Sequence, residues 1–430
     1  MRTVYIETYG CQMNVADTEM ITGSLLARGY GRVEQPADAD VILVNTCAIR
    51  ENAETKVFAR LRELAVHKRR RPAVRLGVTG CMAQHLRDTL KVQAPQVDLL
   101  VGPDGYRHLP ELLDAEDGTL HTALRLDPNE TYADVPVARD PGVRAWVTIM
   151  RGCDRFCTFC IVPYVRGRER SLPLGVLVDD VRRLADGGTK EVVFLGQTVN
   201  AYRDGNADFA DLLCATQAID GIERIRFTSP HPTDMTERVI DAMVACPKVM
   251  PQLHLPVQSA SDPVLERMAR DYTLAQYEAL VDRLRNRLPG IAFSTDIIVG
   301  FPGETAADFA ATYALMERVR YDIAFLFKYS EREGTRAAKW TDDVPDAEKG
   351  ARLEQLITLQ ERISGEINRT EVGTDVAVLI EGPARRPEGW VTGKSPQFKR
   401  VVAPGPAVVG STVRVRIEAA TSHTLSGRIG

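Results

Sequence analysis

Short apolar runs alternate with amphipathic stretches along the first part of the chain. Val4 to Cys11, Val41 to Cys47 and Leu76 to Cys81 are strand-like runs that each end at a cysteine. Helix-compatible segments follow them, as at Asp17 to Arg28 and Glu51 to Lys68. This βα alternation predicts a small parallel sheet. Loops after parallel strands gather along one sheet edge, so Cys11, Cys47 and Cys81 are expected to converge. The alternative is three separate thiols buried as small apolar side chains. Leu99 to Arg107, with Val101-Gly102-Pro103, closes this first region. The segment from Glu111 to Pro141, broken by Gly118, Pro128 and Pro136, predicts a linker with some local structure.

The alternation resumes at Trp146 to Met150 and continues through Glu191 to Gly196, Arg224 to Thr228, Gln252 to Val257, Ala292 to Val299 and Ile323 to Tyr329. About six βα units of this kind predict a partial TIM-like barrel. A charged helix from Ala347 to Ile367 is expected to form a surface connection. The pattern then changes: Val372 to Ile380, Gly389 to Gly393 and Val413 to Ile417 are short strands set between Gly and Pro, which predicts a small β-barrel. The expected domains are 1–135, 142–370 and 371–430, an α/β chain with a C-terminal β module.

At 430 residues and 44% apolar composition the chain is long enough for two or three real cores. A net charge of -4 does not advertise nucleic-acid binding, but residues 371 to 430 hold eight Lys or Arg against five Asp or Glu. A local basic face suffices for phosphate attraction. Eight cysteines in a chain this long favour a reduced compartment and metal work over disulfides. No apolar run approaches bilayer length and MRTVYIETYGC lacks a signal-peptide stretch. A soluble, cytoplasmic, monomeric protein with no membrane partner is expected.

Cys153, Cys157 and Cys160 lie within eight residues. Soft thiolates at such close spacing select an iron-sulfur centre. A structural zinc site wants a fourth ligand, and the next cysteine and histidine are Cys214 and His231. A catalytic zinc with an open position and reduced core thiols remain as alternatives. Arg166, Arg168 and Arg170 follow directly; holding substrate phosphates, binding a carboxylate, pairing with acidic neighbours and forming a solvated basic loop are all open to them. Strand ends in barrel folds carry the chemistry, which selects His254, Gln258, Ser259, Asp296, Gly300 and Glu304. Gly300-Phe301-Pro302-Gly303-Glu304-Thr305 lacks the Gly-Lys-Ser/Thr ending of a P-loop. Cys214 and Cys246 stand outside both cysteine sets.

The Cys-x3-Cys-x2-Cys form resembles that of the radical S-adenosylmethionine (SAM) enzymes. Tyr9-Gly10-Cys11-Gln12-Met13-Asn14, Asn45 to Glu51 and Gly80-Cys81-Met82-Ala83-Gln84 resemble the N-terminal domain of the radical SAM methylthiotransferases. Ser229 to Pro232, Leu253 to Ser259 and Ser294 to Glu304 are similar to the same family, and residues 371–430 resemble a TRAM domain, an OB-like RNA-binding module. The Gln12-Met13 pair points within the family toward N6-isopentenyladenosine in tRNA as substrate. Thr198, Ala260 and the Gly393 to Arg400 run depart from the usual pattern.

The resemblance implies two [4Fe-4S] clusters, one on Cys11, Cys47 and Cys81 and one on Cys153, Cys157 and Cys160, each with one iron free of protein ligands. It implies that SAM chelates the second cluster and is cleaved by one electron to methionine and a 5'-deoxyadenosyl radical. Cofactor contacts are expected from Gln258, Arg270, Asp296, Glu191 and Gln197, and substrate contacts from Arg166, Arg168, Arg170, Lys394, Lys399 and Arg400; Trp390 and Phe398 offer stacking surfaces or fill the small core. The implied reaction is methylthiolation of C2 of N6-isopentenyladenosine in the anticodon loop, with a reducing electron donor and a sulfur donor as partners. Alternatives are a methylthiotransferase acting on threonylcarbamoyl-adenosine or a ribosomal protein, a radical SAM enzyme without sulfur insertion, and a non-enzymatic iron-sulfur RNA-binding protein.

Overall fold

The computed structural model describes residues 1–48, 51–115 and 119–430, with the side chains of 51–54 also left aside. Ile49 and Arg50 of the second cysteine motif, and Gly118 of the expected linker, lie outside the described residues.

The chain opens with β1 (Thr3–Thr8), α1 (Gln12–Ala27), β2 (Gly31–Arg32), β3 (Val41–Thr46), α2 (Glu51–Arg70), β4 (Arg75–Gly80), the short α3 (Cys81–His85), β5 (Leu99–Val101) and β6 (His121–Ala123). All six strands are parallel, in the order β2-β1-β3-β4-β5-β6. Every residue of β3 is buried, and its apolar run Val41 to Val44 suits a central strand covered on both faces. The segment expected to be a linker is built into this domain. It supplies β6, and Tyr132 packs on Tyr106 and donates its hydroxyl to the Pro103 carbonyl at 3.0 Å.

The central region contains β7 (Arg144–Thr148), α4 (Val162–Arg166), α5 (Leu174–Asp186), β8 (Glu191–Leu195), β9 (Arg224–Phe227), β10 (Gln252–His254), β11 (Ala292–Val299) and β12 (Ile323–Lys328). They form two parallel three-stranded sheets, β9-β8-β7 and β10-β11-β12. An isolated bridge from Ile225 to Val249 joins their edges, giving the six-stranded partial barrel. Alternate residues such as Val192, Phe194, Ile225, Phe293 and Ile297 point outward into the main core beneath the helices. The charged helix α6 (Asp346–Arg369) does more than connect: Leu356, Leu359 and Ile363 are buried in that same core.

The last region is a closed antiparallel-rich barrel, β13 (Asp375–Pro383), β14 (Trp390–Lys394), β15 (Arg400–Pro404), β16 (Thr412–Ala420) and β17 (Leu425–Ile429), ordered β13-β14-β15-β17-β16. It seals the amino-terminal end of the central barrel. Arg226 donates to the carbonyls of Ser395 and Pro396 at 2.9 Å each, and Arg224 to that of Lys394 at 2.7 Å. The Phe398 ring lies under the guanidinium of Arg226 at 4.7 Å.

Glu191 is fully buried at the centre of this junction, paired with Arg226 at 2.7 Å and with Arg144. Burial alone would raise its carboxyl pKa, but the charges of Arg226 and then Arg144 outweigh it and hold the group below the usual range. Such a group contributes stability above the unfolded carboxyl pKa and loses it as pH falls through its own. Removing one member of a buried ion pair leaves the other charge uncompensated, at a cost of about 3–5 kcal/mol. Glu191→Ala is therefore expected to advance the first transition in urea unfolding by that margin while leaving the amino-terminal domain's transition in place.

Candidate active site

Two glycine-cysteine steps and one asparagine pair bring the first three thiols together. Gly10 and Gly80 have φ of +140° and +91°, and a Cβ on Gly10 would lie 2.6 Å from the Cys47 Cβ. One on Gly80 would lie 2.5 Å from the Asn45 side-chain oxygen. Only glycine lets these loops crowd against the end of β3. Asn14 donates to the Thr46 carbonyl at 3.0 Å, and Asn45 donates back to the Asn14 carbonyl at 2.9 Å. These bonds lock the start of α1, where Cys11 is the N-cap, to the strand end that carries Cys47. A side-chain hydrogen bond with Cys47 lowers the Cys11 thiol to about 6 against the effect of burial, with help from Arg166.

The second set follows β7. Cys153 hangs from the Gly167 carbonyl through its own amide at 3.1 Å, and its sulfur lies 3.1 Å from the Thr198 hydroxyl. The Cys160 amide donates to the Cys157 carbonyl at 3.0 Å, closing the tight turn that the two-residue spacing predicts. Arg270 donates to the Cys157 sulfur at 3.4 Å and to the Pro256 carbonyl at 3.2 Å, tying the loop to the chain after β10. Burial raises the Cys160 thiol to about 12. Binding a metal would release that proton, since the thiolate is the ligand. Among the described residues no group of His, Cys, Asp and Glu is arranged to grip a single metal ion. A cubane asks something different, with each thiolate on its own iron.

The two sets face each other through a buried charge network. Asp17 of α1, fully buried, accepts from Arg151 at 2.8 Å and from Arg166 at 2.7 Å. Arg166 also donates its Nε to the Cys81 sulfur at 3.2 Å. Burial would raise Asp17, but Arg166 and then Arg151 keep it ionised. One carboxylate thus stands between two buried guanidiniums, an excess of positive charge that a protonated Cys81 does not offset. Arg166 Nη1 and Arg151 Nε and Nη1 have no hydrogen-bond partner among the described residues, although the Arg151 guanidinium lies over the Tyr132 ring at 4.8 Å. Buried charge needs compensation, and a thiolate-ligated cluster at Cys81 provides it. The donor chemistry of the amino-terminal trio therefore fits an iron-sulfur cluster.

Residues 3–102 match the uncharacterized protein family UPF0004, 147–316 the radical SAM superfamily and 369–429 the TRAM domain. The tRNA-2-methylthio-N(6)-dimethylallyladenosine synthase of Chlorobium luteolum is 44% identical, over 99% of this chain and 97% of that protein. That of Chloroherpeton thalassium is 46% identical, over 99% and 95%. The chain belongs to the tRNA-2-methylthio-N(6)-dimethylallyladenosine synthase family. In fold it is similar to the radical S-adenosylmethionine methyltransferase TsrM of Kitasatospora setae, at TM-score 0.60 and 16% identity over 78% of this chain and 74% of that one.

Several residues expected to act at the family's site are placed elsewhere. Glu191 opens β8, at the far end of the strand from Gln197 and the cysteine loop, and is consumed by the junction described above. Arg166 and Arg170 are buried rather than presented to RNA. Arg170 makes two bonds to Asp104 at 2.8 and 3.0 Å, holding the amino-terminal domain to the barrel. Arg168 is exposed and paired with Asp154 at 2.6 Å. Lys394 lies over the Phe398 ring at 4.5 Å, its pKa lowered by burial, and Lys399 pairs with Glu371 at 3.2 Å and Asp322 at 3.5 Å. Phe398 is thus part of the interdomain junction and not a platform for bases. Arg400 is exposed.

Others gather at the carboxyl ends of the strands. Gln258, at φ +69°, donates its amide to the Asp296 carbonyl at 2.9 Å and accepts from the Ile298 amide. Asp296 lies 3.3 Å from His254 Nε2. The Gln197 side-chain oxygen is buried with no partner among the described residues. Glu304 accepts from the Gly300 amide at 2.9 Å and pairs with Arg352, so it shapes its loop. His231 is locked to Asn200, and burial followed by the charges of Arg270 and Arg155 lowers it to about 2. Its ring is neutral. Sequence reasoning missed Thr198 and Asp17 as site residues. Thr198 shows in the sequence only as a departure from the family's pattern, and Asp17, two residues before Glu19 in α1, carries no local sign that it is a buried counterion.

Proposed function

We propose that this chain methylthiolates C2 of N6-isopentenyladenosine in tRNA, using its two cysteine trios as [4Fe-4S] sites and SAM as cofactor. The reading is supported above all by the Arg166 contact to Cys81. The arm that leaves the Cys153–Cys160 loop touches a thiol of the other trio, which supports two sites serving one chamber.

When bound, the clusters and SAM supply one-electron hydrogen abstraction, sulfur and a methyl group. The chain's own residues bind and orient. Arg270 fixes Cys157 relative to the β10 loop. Gln197, Gln258 and Asp296 line the mouth where a cofactor's polar groups would be received, and the free carbonyl oxygen of Gln197 is an acceptor for an ammonium. Asp17, Arg151 and Arg166 hold the two domains in register. A loop base enters more easily than a duplex one, because it leaves only a partial stack.

The tRNA meets the exposed cations of the C-terminal barrel. Arg385, Arg386, Arg400 and Arg414 are exposed there, whereas the lysines are committed to the junction. The chemistry requires an electron donor and a sulfur donor, and we place the working protein as a monomer in the cytoplasm. Among the described residues no helix is long and apolar enough to cross a membrane.

Anaerobic reconstitution followed by turnover on tRNA bearing isopentenyladenosine, with nucleoside mass spectrometry, tests the reading; a methylthiolated nucleoside is expected, and product only on threonylcarbamoyl-adenosine would overturn it. In the double variant Arg385→Ala, Arg386→Ala the slope of log affinity for tRNA against log salt should shrink by about 1.4 to 1.8, since each lost phosphate contact removes roughly 0.7 to 0.9. Filter binding over a salt series measures it.

A further inference from the structure

The lumen of the partial barrel is filled on one side only. Against the first sheet, Met13 and Ala16 of α1 pack on Val193 and Leu195, with Trp146 beside them. Against the second sheet an apolar wall is left open. Along β12, Ala324 and Leu326 turn to the main core, while the alternate residues Ile323 and Phe325 are 44% and 47% exposed. Phe327, on the same face, is 37% exposed.

Single exposed apolar residues are ordinary, but three at strand alternation on one face form a patch. Its place in the barrel identifies its neighbours. Phe325 is paired in register with Asp296, and its ring packs edge-on against His254 at 5.8 Å. His254 and Asp296 belong to the strand-end group that leads through Pro256 and Arg270 to Cys157. The wall is therefore continuous with the candidate active site.

We propose that Ile323 and Phe325 receive the N6-dimethylallyl group of the target adenine and so determine which modified base is accepted. This rests on the function proposed above and adds the residues that read the substituent. The branched five-carbon chain is purely apolar, matching the carbon surface that Ile323 and Phe325 present. A threonylcarbamoyl group would bring a carboxylate, a hydroxyl and a ureido group to the same place. There it would meet the Asp296 carboxylate, and the strand's cation does not help, since Lys328 is turned to Asp346 at 2.6 Å. Polar groups left unpaired on an apolar surface are rejected.

The test compares two anticodon stem-loop RNAs, identical except for the N6-dimethylallyl group, for affinity to anaerobic SAM-saturated holoenzyme. The unsubstituted holoenzyme should prefer the prenylated RNA. Phe325→Ser should reduce that preference by about 10-fold, within the range for loss of a small apolar contact, with affinity for the unprenylated RNA unchanged. Phe325→Leu should restore most of it. An unaltered preference in Phe325→Ser, no preference in the parent protein, or a change of oligomeric state instead would overturn the inference. Methylthiolation by the parent protein is assayed in parallel: if it is absent on prenylated RNA the proposed function itself fails, and if it is present while the preference is unmoved only the role of this wall fails.

Discussion

Cys157→Ala is expected to abolish reductive cleavage of SAM, with 5'-deoxyadenosine undetectable in an anaerobic assay that follows it alongside methionine. A trio of ligands has no spare member, and this thiol also anchors Arg270 to the loop. The loss should be specific. Cys157 is confined to a loop whose other restraints, such as the Thr158 amide bond to the Met268 carbonyl at 3.0 Å, do not involve its sulfur. The variant should therefore remain folded and retain about half of the iron of the doubly loaded protein. Arg270→Ala makes a graded counterpart: losing a partner of a metal ligand typically costs about 10–100-fold in metal affinity or activity. Normal deoxyadenosine production by Cys157→Ala would remove this loop from the chemistry.

Cys47→Ala should separate the two halves of the reaction. The altered thiol lies just past the end of β3, across the domain interface from the Cys153–Cys160 loop. Deoxyadenosine should still form, uncoupled from product, while methylthiolated nucleoside falls below detection. Iron should drop from about eight to about four per chain. The substitution removes one small buried side chain from the tight meeting of Gly10, Asn14 and Asn45. Measuring both nucleosides in one reaction, with Mössbauer spectra of the same preparation, distinguishes loss of sulfur insertion from loss of the whole protein. Full methylthiolation by Cys47→Ala would sink the two-site reading.

Both predictions depend on features that periodicity and spacing exposed. Three strand runs each ending at cysteine imply a shared sheet edge, because parallel strands deliver their following loops to one side. The structure places those strands side by side as β1, β3 and β4. Likewise a two-residue gap between Cys157 and Cys160 is closed by one local backbone bond, so spacing alone conveys the geometry. The six barrel strands were legible for the same reason: apolar alternation is a local property. Two strands of the last barrel, β15 and β17, were not, since Arg400–Pro404 and Leu425–Ile429 are short and mix polar with apolar residues. The strand β6 was hidden in a stretch broken by proline and glycine.

Charged residues divide most sharply between what sequence and structure can tell. An arginine near a cysteine motif reads as a phosphate contact when its partners are unknown. Arg166 and Arg170 have partners 149 and 66 residues away, in Asp17 and Asp104, and Glu191 finds Arg226 across a strand pair. Sequence by itself determined the three regions, the two cysteine sets and the family, because covalent spacing and hydrophobic period are local. Tertiary structure alone decided which cations are buried counterions, which remain exposed, and which face of the barrel stays open. Those are set by long-range pairing and by the low dielectric of an interior that no local stretch of sequence describes.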